Sequence, residues 1–281
     1  MNISKKEHLP LLVFSAVFAV IVLASVLSMS ISFGTGGLYP PTSAENAGNA
    51  TLPPPDSSAI SAVLPTSPRV LQGTSDKGEG YIEKIIFVGD STTHHLIARG
   101  VLPDGTETKQ VWTPSNGTLM LSPTVTELKI VYPDTNEEIT IAEAAGRKKP
   151  EYMVLTIGLN GSHTFTESIY KSSYGKLIEA IKEASPNTKI ILQSVFPVAA
   201  NESAWTSLTP AELNLRIDQV NAWAKDLTTE YDNVRYLDTQ SVLRDEDAFL
   251  KASYESGDGI HLTREAYLAI LKYIRTHAWE G

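Results

Sequence analysis

The sequence predicts an α/β fold, a three-layer α/β/α sandwich around a mainly parallel sheet, preceded by one transmembrane helix. After residue 81, short runs of apolar and β-branched residues alternate with longer stretches whose apolar residues recur at helical spacing. This alternation is typical of βαβ units, in which helices cover both faces of a parallel sheet. Near the N-terminus, a separate, almost wholly apolar segment has the length of a membrane span.

The N-terminal part divides into a short polar start, 1–8, and the apolar segment, 9–33. At a helical rise of ~1.5 Å per residue, the apolar segment extends roughly 37 Å, enough to cross a bilayer. Lys5 and Lys6 precede it and no similar basic cluster follows closely, which places 1–8 in the cytoplasm and the rest outside. A cleaved signal peptide is the alternative, although its apolar core is normally about 7–15 residues. We therefore expect a single-pass cell-membrane protein whose folded domain lies on the extracytoplasmic side.

Residues 34–80 are expected to form a linker between the membrane and the folded domain. They are rich in Pro, Ser, Ala, Thr and Gly and show neither helical nor strand periodicity. Such a segment cannot bury enough apolar surface to offset the entropy lost on ordering. A semi-extended linker therefore leads to one folded domain, 81–281.

The folded domain has four clear strand signals and several helix signals. Helices are indicated after residue 91, over 170–181 and 213–227, and after Thr263. The segment 209–212 combines an N-cap, a first-turn proline and a capping-box glutamate, which marks the start of one helix. The predicted strands are Lys84–Val88, Tyr152–Ile157, Lys189–Val195 and Val234–Leu237.

Two irregular stretches, 106–141 and 196–208, interrupt this alternation. The first contains short strand and turn patterns, and each stretch carries a tryptophan, Trp112 or Trp205. In open α/β sheets, ligands bind beyond the carboxyl ends of the strands, and irregular segments there form the walls of the site. Both tryptophans are therefore candidate substrate contacts.

The composition excludes several classes of function. A formal net charge of −9, with no basic stripe, argues against nucleic-acid binding, which needs clustered Lys and Arg. The chain has no cysteine, which excludes disulfides, thiolate metal sites and a cysteine nucleophile. No histidine and carboxylate cluster has the spacing of metal ligands, so we expect neither a metal nor a cofactor.

The first candidate chemical group is Ser91. A buried-strand pattern, 83–88, ends in Gly89 and Asp90, and a helical pattern follows the serine. A serine on such a strand-to-helix turn is exposed above the sheet, near the first N–H groups of the helix, which can stabilise negative charge. A simple helix cap is the alternative interpretation of Ser91.

Two further sequence blocks carry side chains that could act together with Ser91. Asp258 precedes His261 by three residues in a glycine-bracketed loop. A serine hydroxyl needs a base to become nucleophilic, and a carboxylate fixes the tautomer of that base. Asn160 follows the strongest central strand, where an oxyanion would need a donor. Taken singly, these blocks could also be a helix-capping loop and a turn.

Together and in chain order, Gly-Asp-Ser, Gly-x-Asn and Asp-x-x-His resemble the SGNH (GDSL-like) hydrolase superfamily, over roughly Ile82 to His277. The resemblance implies a flavodoxin-like sheet. It also implies that Ser91 is the nucleophile and, through its N–H, an oxyanion donor, and that Asp258 and His261 complete the triad. Asn160 is implied as a second oxyanion donor.

The resemblance leaves other positions open. The family uses a further glycine N–H for the oxyanion, for which Gly117 is the candidate and Gly100 the alternative. Gly161 follows Asn160 where the family often has aspartate, so the hydrogen bonds there are expected to differ. Asp90 and His163 are further candidate substrate contacts. Of the adjacent histidines at 94 and 95, at most one can face the serine.

The resemblance implies hydrolysis of acyl esters. An anchored, outward-facing domain would meet acylated cell-wall or surface carbohydrate, which favours O-acetyl groups as the substrate. A lipid or general carboxylesterase is one alternative. A catalytically silent cell-wall binding or sensing module is another, because a fold does not guarantee activity.

Overall fold

The structure, a computed structural model, describes residues 69–201 and 206–280. The described residues contain seven strands and seven α-helices. The strands are β1 (Ile85–Gly89), β2 (Val111–Trp112), β3 (Lys129–Tyr132), β4 (Glu137–Thr140), β5 (Tyr152–Thr156), β6 (Lys189–Gln193) and β7 (Val234–Leu237). The helices are α1 (Glu79–Ile82), α2 (Ser91–Ala98), α3 (Ile141–Lys148), α4 (Glu167–Ala184), α5 (Pro210–Leu227), α6 (Gln240–Leu243) and α7 (Arg264–Thr276).

Five strands form one parallel sheet in the order β2-β1-β5-β6-β7, which confirms the predicted α/β class. This is the strand order of flavodoxin-like sheets. The order reverses between β1 and β5, and in such sheets the loops that follow the two reversing strands enclose the ligand site. The remaining strands, β3 and β4, form an antiparallel hairpin beside β2.

The sheet separates two hydrophobic cores, as a three-layer sandwich requires. Side chains of β1 alternate between them, since Ile86 and Val88 pack in one core and Ile85 and Phe87 in the other. Helices α3, α4 and α5 contribute to the first core, and α1, α2 and α7 to the second. The long apolar strands therefore reflect burial on both faces.

The helix signals in the sequence correspond to hydrogen bonds in the structure. At the start of α5, Thr209 Oγ1 accepts from Glu212 N, and the Glu212 carboxylate accepts from Thr209 N at 2.8 Å. Helix α7 begins with Thr263 as its N-cap. Two elements inside the stretch 106–148 carry weaker signals: β2 has only two residues, and α3 follows directly on β4.

The predicted anchor, 9–33, and most of the predicted linker, 34–80, lie outside the described residues. Within the described ranges, no helix has the length and apolar character needed to cross a bilayer. The last part of the linker segment belongs to the fold. Val70 pairs with Tyr236 of β7, and Leu71 N donates to Tyr236 O at 2.8 Å. Two adjacent apolar residues are enough to extend a sheet edge. The average composition of 34–80 did not reveal them, because the surrounding residues are mostly Gly, Ser and other small or polar residues.

Candidate active site

Ser91 is the first residue of α2, directly after the Asp90 cap. The Asp90 carboxylate accepts from Thr92 N at 3.0 Å and from Thr92 Oγ1 at 2.7 Å. At the first helical position, the N–H of Ser91 has no carbonyl one turn earlier to which it could donate. The turn therefore presents both a hydroxyl and a backbone donor at the carboxyl end of β1.

Gly89 is required by the close approach of α2 to the sheet. A Cβ at this position would lie 2.1 Å from Thr93 Oγ1 and 2.5 Å from the Thr156 carbonyl oxygen of β5. The second contact is with backbone, which cannot move aside without disturbing the sheet. Only glycine allows the first turn of α2 to fold back over β1 and β5 and carry Ser91 with it.

Ser91, His261 and Asp258 form a continuous hydrogen-bonded relay. His261 Nε2 lies 3.0 Å from Ser91 Oγ, and His261 Nδ1 lies 2.5 Å from Asp258 Oδ2. The structure thus brings the three residues together from opposite ends of the domain. A proton on Nδ1, held by the carboxylate, leaves the Nε2 lone pair directed at the hydroxyl.

Hydrogen bonds donated by backbone N–H groups fix the loop that carries Asp258 and His261. Ser256 N donates to His261 O at 2.9 Å, and the Glu255 carboxylate accepts from Gly259 N at 2.7 Å. Gly259 O also accepts from Ala199 N at 2.8 Å, which ties the loop to the chain after β6. The base is therefore held by the fold rather than by its side-chain contacts alone.

The electrostatics of Asp258 suit a carboxylate that orients a base. Burial raises its pKa, but hydrogen bonds from the His261 side chain and from the N–H groups of His261 and Ile260 outweigh burial and lower the pKa to about 2. Asp258 is therefore ionised throughout the neutral range and can stabilise a positive charge on His261.

One face of α2, extended by its C-cap residue Arg99, contacts the His261 loop at three positions spaced by four residues. Ser91 meets the His261 side chain, the His95 ring lies against the His261 ring with a centroid separation of 4.2 Å, and Arg99 Nε donates to Leu262 O at 3.0 Å. The spacing of four residues gives all three side chains the same direction. The sequence did not indicate which of the two histidines faces the base. That histidine is His95.

The neighbouring histidine points away from the relay. His94 Nδ1 lies 3.0 Å from Thr113 Oγ1, at the end of β2. A Cβ on Gly117 would lie 3.1 Å from the His94 ring, and Gly117 has a positive φ of 69°. The glycine is thus needed for the loop after β2 to turn beside His94.

The oxyanion side of the site differs from the prediction at Gly117. Its N–H donates to Pro114 O at 2.8 Å and so is not presented to an oxyanion, because it closes a turn. The alternative, Gly100, lies past the far end of α2 and donates to Ile97 O. Asn160 Nδ2 donates to Leu119 O at 3.2 Å, which occupies one of its two N–H groups. The Ser91 N–H and the second amide hydrogen of Asn160 remain as candidate donors.

Two of the four predicted substrate contacts, Trp112 and Asp90, are not at the surface. Trp112 is 1% exposed and packs edge-on against Tyr132, so it belongs to the core. Asp90 is also 1% exposed and acts as the cap of α2. Both predictions were wrong because position in a loop or strand end does not reveal side-chain direction. His163 is exposed, and Trp205 lies outside the described residues.

A groove of about 480 Å³ runs between α2 and the β3–β4 hairpin, with His94 in its wall. Its lining is mixed, with hydroxyl, amide and charged groups beside aliphatic ones. Among the polar residues of the lining are Thr106, Lys109, Thr113, Ser115 and Asn136. In the part of the chain that the structure describes, no group of three or more ligand-type side chains could hold a metal ion.

Comparisons with known proteins agree with this architecture. The family model of the GDSL-like Lipase/Acylhydrolase family matches residues 87–269. No curated protein matches the chain. A Streptococcus pneumonia protein described as a candidate platelet activating factor is 21% identical, with a TM-score of 0.50, over 68% of this chain and 82% of that chain. This likeness shows the fold alone.

A second solved structure is more distant. A catalytic mutant of Axe2, an acetylxylan esterase from Geobacillus stearothermophilus, is 16% identical, with a TM-score of 0.39, over 75% of this chain and 98% of that chain. At this TM-score the likeness carries no argument about function.

Proposed function

Because the chain belongs to the GDSL-like lipase/acylhydrolase family, we propose that it is a serine esterase whose nucleophile is Ser91. The observation that carries this proposal is the relay in which His261 lies 3.0 Å from the Ser91 hydroxyl and 2.5 Å from Asp258. A silent binding module has no need of a hydroxyl, a base and a carboxylate aligned in this way.

In the proposed acylation step, His261 Nε2 accepts the proton of Ser91 as Oγ forms a bond to the ester carbonyl carbon. The negative charge that develops on the carbonyl oxygen is stabilised by the Ser91 N–H and by Asn160. Asp258 stabilises the imidazolium without taking its proton. His261 then gives the proton to the leaving alcohol, the ester C–O bond breaks, and the acyl group stays on Ser91.

In the proposed deacylation step, water replaces the alcohol. His261 accepts a proton from the water as its oxygen attacks the acyl carbon, and the second oxyanion uses the same donors. The bond between that carbon and Ser91 Oγ then breaks. Oγ recovers its proton from His261, and the carboxylic acid leaves.

The proposed substrate is an O-acetyl group on cell-wall or surface carbohydrate. The expected location of the domain carries this proposal, and a lipid esterase, which would need a wide apolar cleft at the relay, is the alternative. The apolar segment 9–33 supports a membrane-anchored protein with an outward-facing domain, because Lys5 and Lys6 precede it. An enzyme in that place would meet acetylated carbohydrate of the cell surface.

The test of the reaction uses p-nitrophenyl acetate and p-nitrophenyl palmitate with the full chain in detergent. We expect turnover of the acetate, little turnover of the palmitate, and none by Ser91→Ala, which keeps the fold because a small hydroxyl contributes little to stability. A serine-directed phosphonate should label Ser91 only. Wild-type turnover by Ser91→Ala would show that the nucleophile is elsewhere, and a preference for palmitate would favour the lipid esterase.

The proposed location has its own test. In intact cells, the protein should stay in the membrane fraction while external protease digests the folded domain. A soluble protein in the medium whose N-terminus begins after residue 24 would instead show a cleaved signal peptide. Acetate release from O-acetylated cell-wall polymer by purified enzyme then tests the substrate directly.

A further inference from the structure

His95 makes a close contact with the proposed base. It lies four residues after Ser91 on α2, and its ring packs against His261 with a centroid separation of 4.2 Å and an interplanar angle of 31°. Of the aromatic rings in the described residues, His95 is the one found against His261. No family motif in the sequence assigned this residue a role.

No hydrogen bond explains the orientation of the His95 ring. Its Nδ1 is buried and has no hydrogen-bond partner among the described residues. A buried polar atom without a partner is unfavourable and calls for a compensating reason for the residue. The contact with His261 is the reason that the geometry offers.

His261 needs support beyond its bond to Asp258. That carboxylate holds one corner of the ring, at Nδ1, and its side chain is 51% exposed. Hydrogen bonds at Nδ1 and Nε2 alone leave the ring free to rotate about the line that joins these two nitrogens. A ring packed on the face of His261 blocks this movement and keeps Nε2 directed at Ser91.

We propose that His95 is a positioning residue, whose ring lies on the face of His261 and holds the base in line with the nucleophile. This inference rests on the proposed function of Ser91 and His261. Burial, followed by electrostatic interactions with His261 and Arg99, lowers the pKa of His95 to about 4. His95 is therefore neutral at neutral pH and does not repel the imidazolium that forms on His261. An aromatic face beside that cation is favourable.

The test compares a variant that keeps an aromatic ring with one that does not. In His95→Phe the stack is retained, and in His95→Leu it is lost with similar bulk. We expect His95→Leu to lower kcat about tenfold with KM changed less than about twofold, because misalignment affects the chemical step and not binding. His95→Phe should keep kcat within about threefold of the wild type.

A matched control is available at the C-terminal end of the domain. His277 stacks on Tyr273 with a centroid separation of 3.7 Å, outside the relay. His277→Leu should leave kcat unchanged, even where it lowers thermal stability. If His95→Leu does not fold, His95→Gln replaces it as the variant without a ring.

A second measurement does not depend on activity. Proton NMR of the full chain should show the His261 Nδ1–H in its bond to Asp258, retained in His95→Phe and broadened in His95→Leu. Equal kcat losses in the Phe and Leu variants, or wild-type kcat in both, would overturn the positioning role. If the wild type hydrolysed no ester, the proposed function would fail, and the NMR comparison would still decide the role of His95.

Discussion

Two aspartates near Ser91 occupy regions with opposite electrostatics. Asp90, at the end of β1, is 1% exposed, and burial raises the pKa of its carboxyl to about 6 in spite of the hydrogen bonds from Thr92. Asp258, in the loop before α7, has a half-exposed side chain and a pKa lowered to about 2. Both carboxylates receive N–H donors, so the difference comes from burial and from the contact with His261.

The difference separates a structural carboxylate from a functional one. Asp90 caps the helix that carries Ser91, and it does so at an energetic cost, because its charge is fully removed from water. Asp258 keeps contact with solvent, accepts from two N–H groups of its own loop and directs its other oxygen at His261. Only Asp258 combines a stable charge with contact to the base.

The largest expected effect is that of removing the base. His261→Ala should lower kcat by about 10⁴ to 10⁶, because neither proton transfer can then occur. Ser91→Ala should lower kcat by a similar factor, because the nucleophile is missing. Combining the two changes should add almost nothing to either one. The measurement is steady-state hydrolysis of p-nitrophenyl acetate, with folding checked by circular dichroism.

The outcome that would contradict the relay is specific. If His261→Ala kept the kcat of the wild type while His94→Ala or His163→Ala abolished turnover, the base would lie elsewhere. Asp258 would then lose its role as well, because its side-chain contact is with His261.

Asp258→Asn sharpens the comparison between the two carboxylates directly. The amide keeps the shape of the side chain but loses the charge that stabilises the imidazolium. We expect a kcat loss on the order of a hundredfold smaller than that of His261→Ala. In the wild type, the low pKa of Asp258 means that it remains ionised until the pH falls towards 2. A kcat unchanged by Asp258→Asn would remove it from the triad.

Asn160→Ala tests the part of the site that uses no carboxylate. Loss of one oxyanion donor typically lowers turnover by about 10² to 10³, with smaller effects on substrate affinity. Asn116 provides the control, since it also holds a loop, by accepting from Thr118 N at 3.0 Å, but is exposed. Asn116→Ala should reduce kcat less than about threefold. Equal losses in the two variants would mean that Asn160 only holds the loop at Leu119.

The sequence was most informative where one chemical requirement determines the pattern. A strand that is buried on both faces of the sheet requires an apolar run. The predicted ends of β1, β5, β6 and β7 therefore lie within a few residues of the observed ends. The relay was equally accessible, because the short spacing of Asp258 and His261 lets one loop hold both.

The rest could not be predicted because it depends on side-chain direction and on long-range contacts. Trp112 was expected at a substrate wall, but it lies in a strand of only two residues, too short for an alternation to show its buried face. The hydrogen bond that occupies the Gly117 N–H forms within a turn of unknown geometry. The stack of His95 on His261 joins elements far apart in the chain.

Asp90→Asn has a smaller expected effect on catalysis than Asn160→Ala and the clearest expected effect on stability. The folded-state pKa of Asp90, about 6, lies above its ordinary value of 3.8. Between these pH values, the folded protein holds a proton that the unfolded chain has released. Stability due to this group is therefore present at low pH and is lost as the pH rises through the window. The loss is at most about 3 kcal/mol, since one pKa unit corresponds to about 1.4 kcal/mol.

Asparagine cannot ionise, yet it caps helices as well as aspartate and can still accept from Thr92. Asp90→Asn should therefore unfold at a higher denaturant concentration than the wild type at pH 8, with little difference at pH 4, and should keep kcat within about tenfold. A gain in stability over the wild type that was equal at pH 4 and pH 8 would contradict the raised pKa of Asp90. A kcat loss as large as that of Asp258→Asn would show that Asp90 serves the relay. The charge of Asp90 would then stabilise the imidazolium on His261, as the charge of Asp258 does.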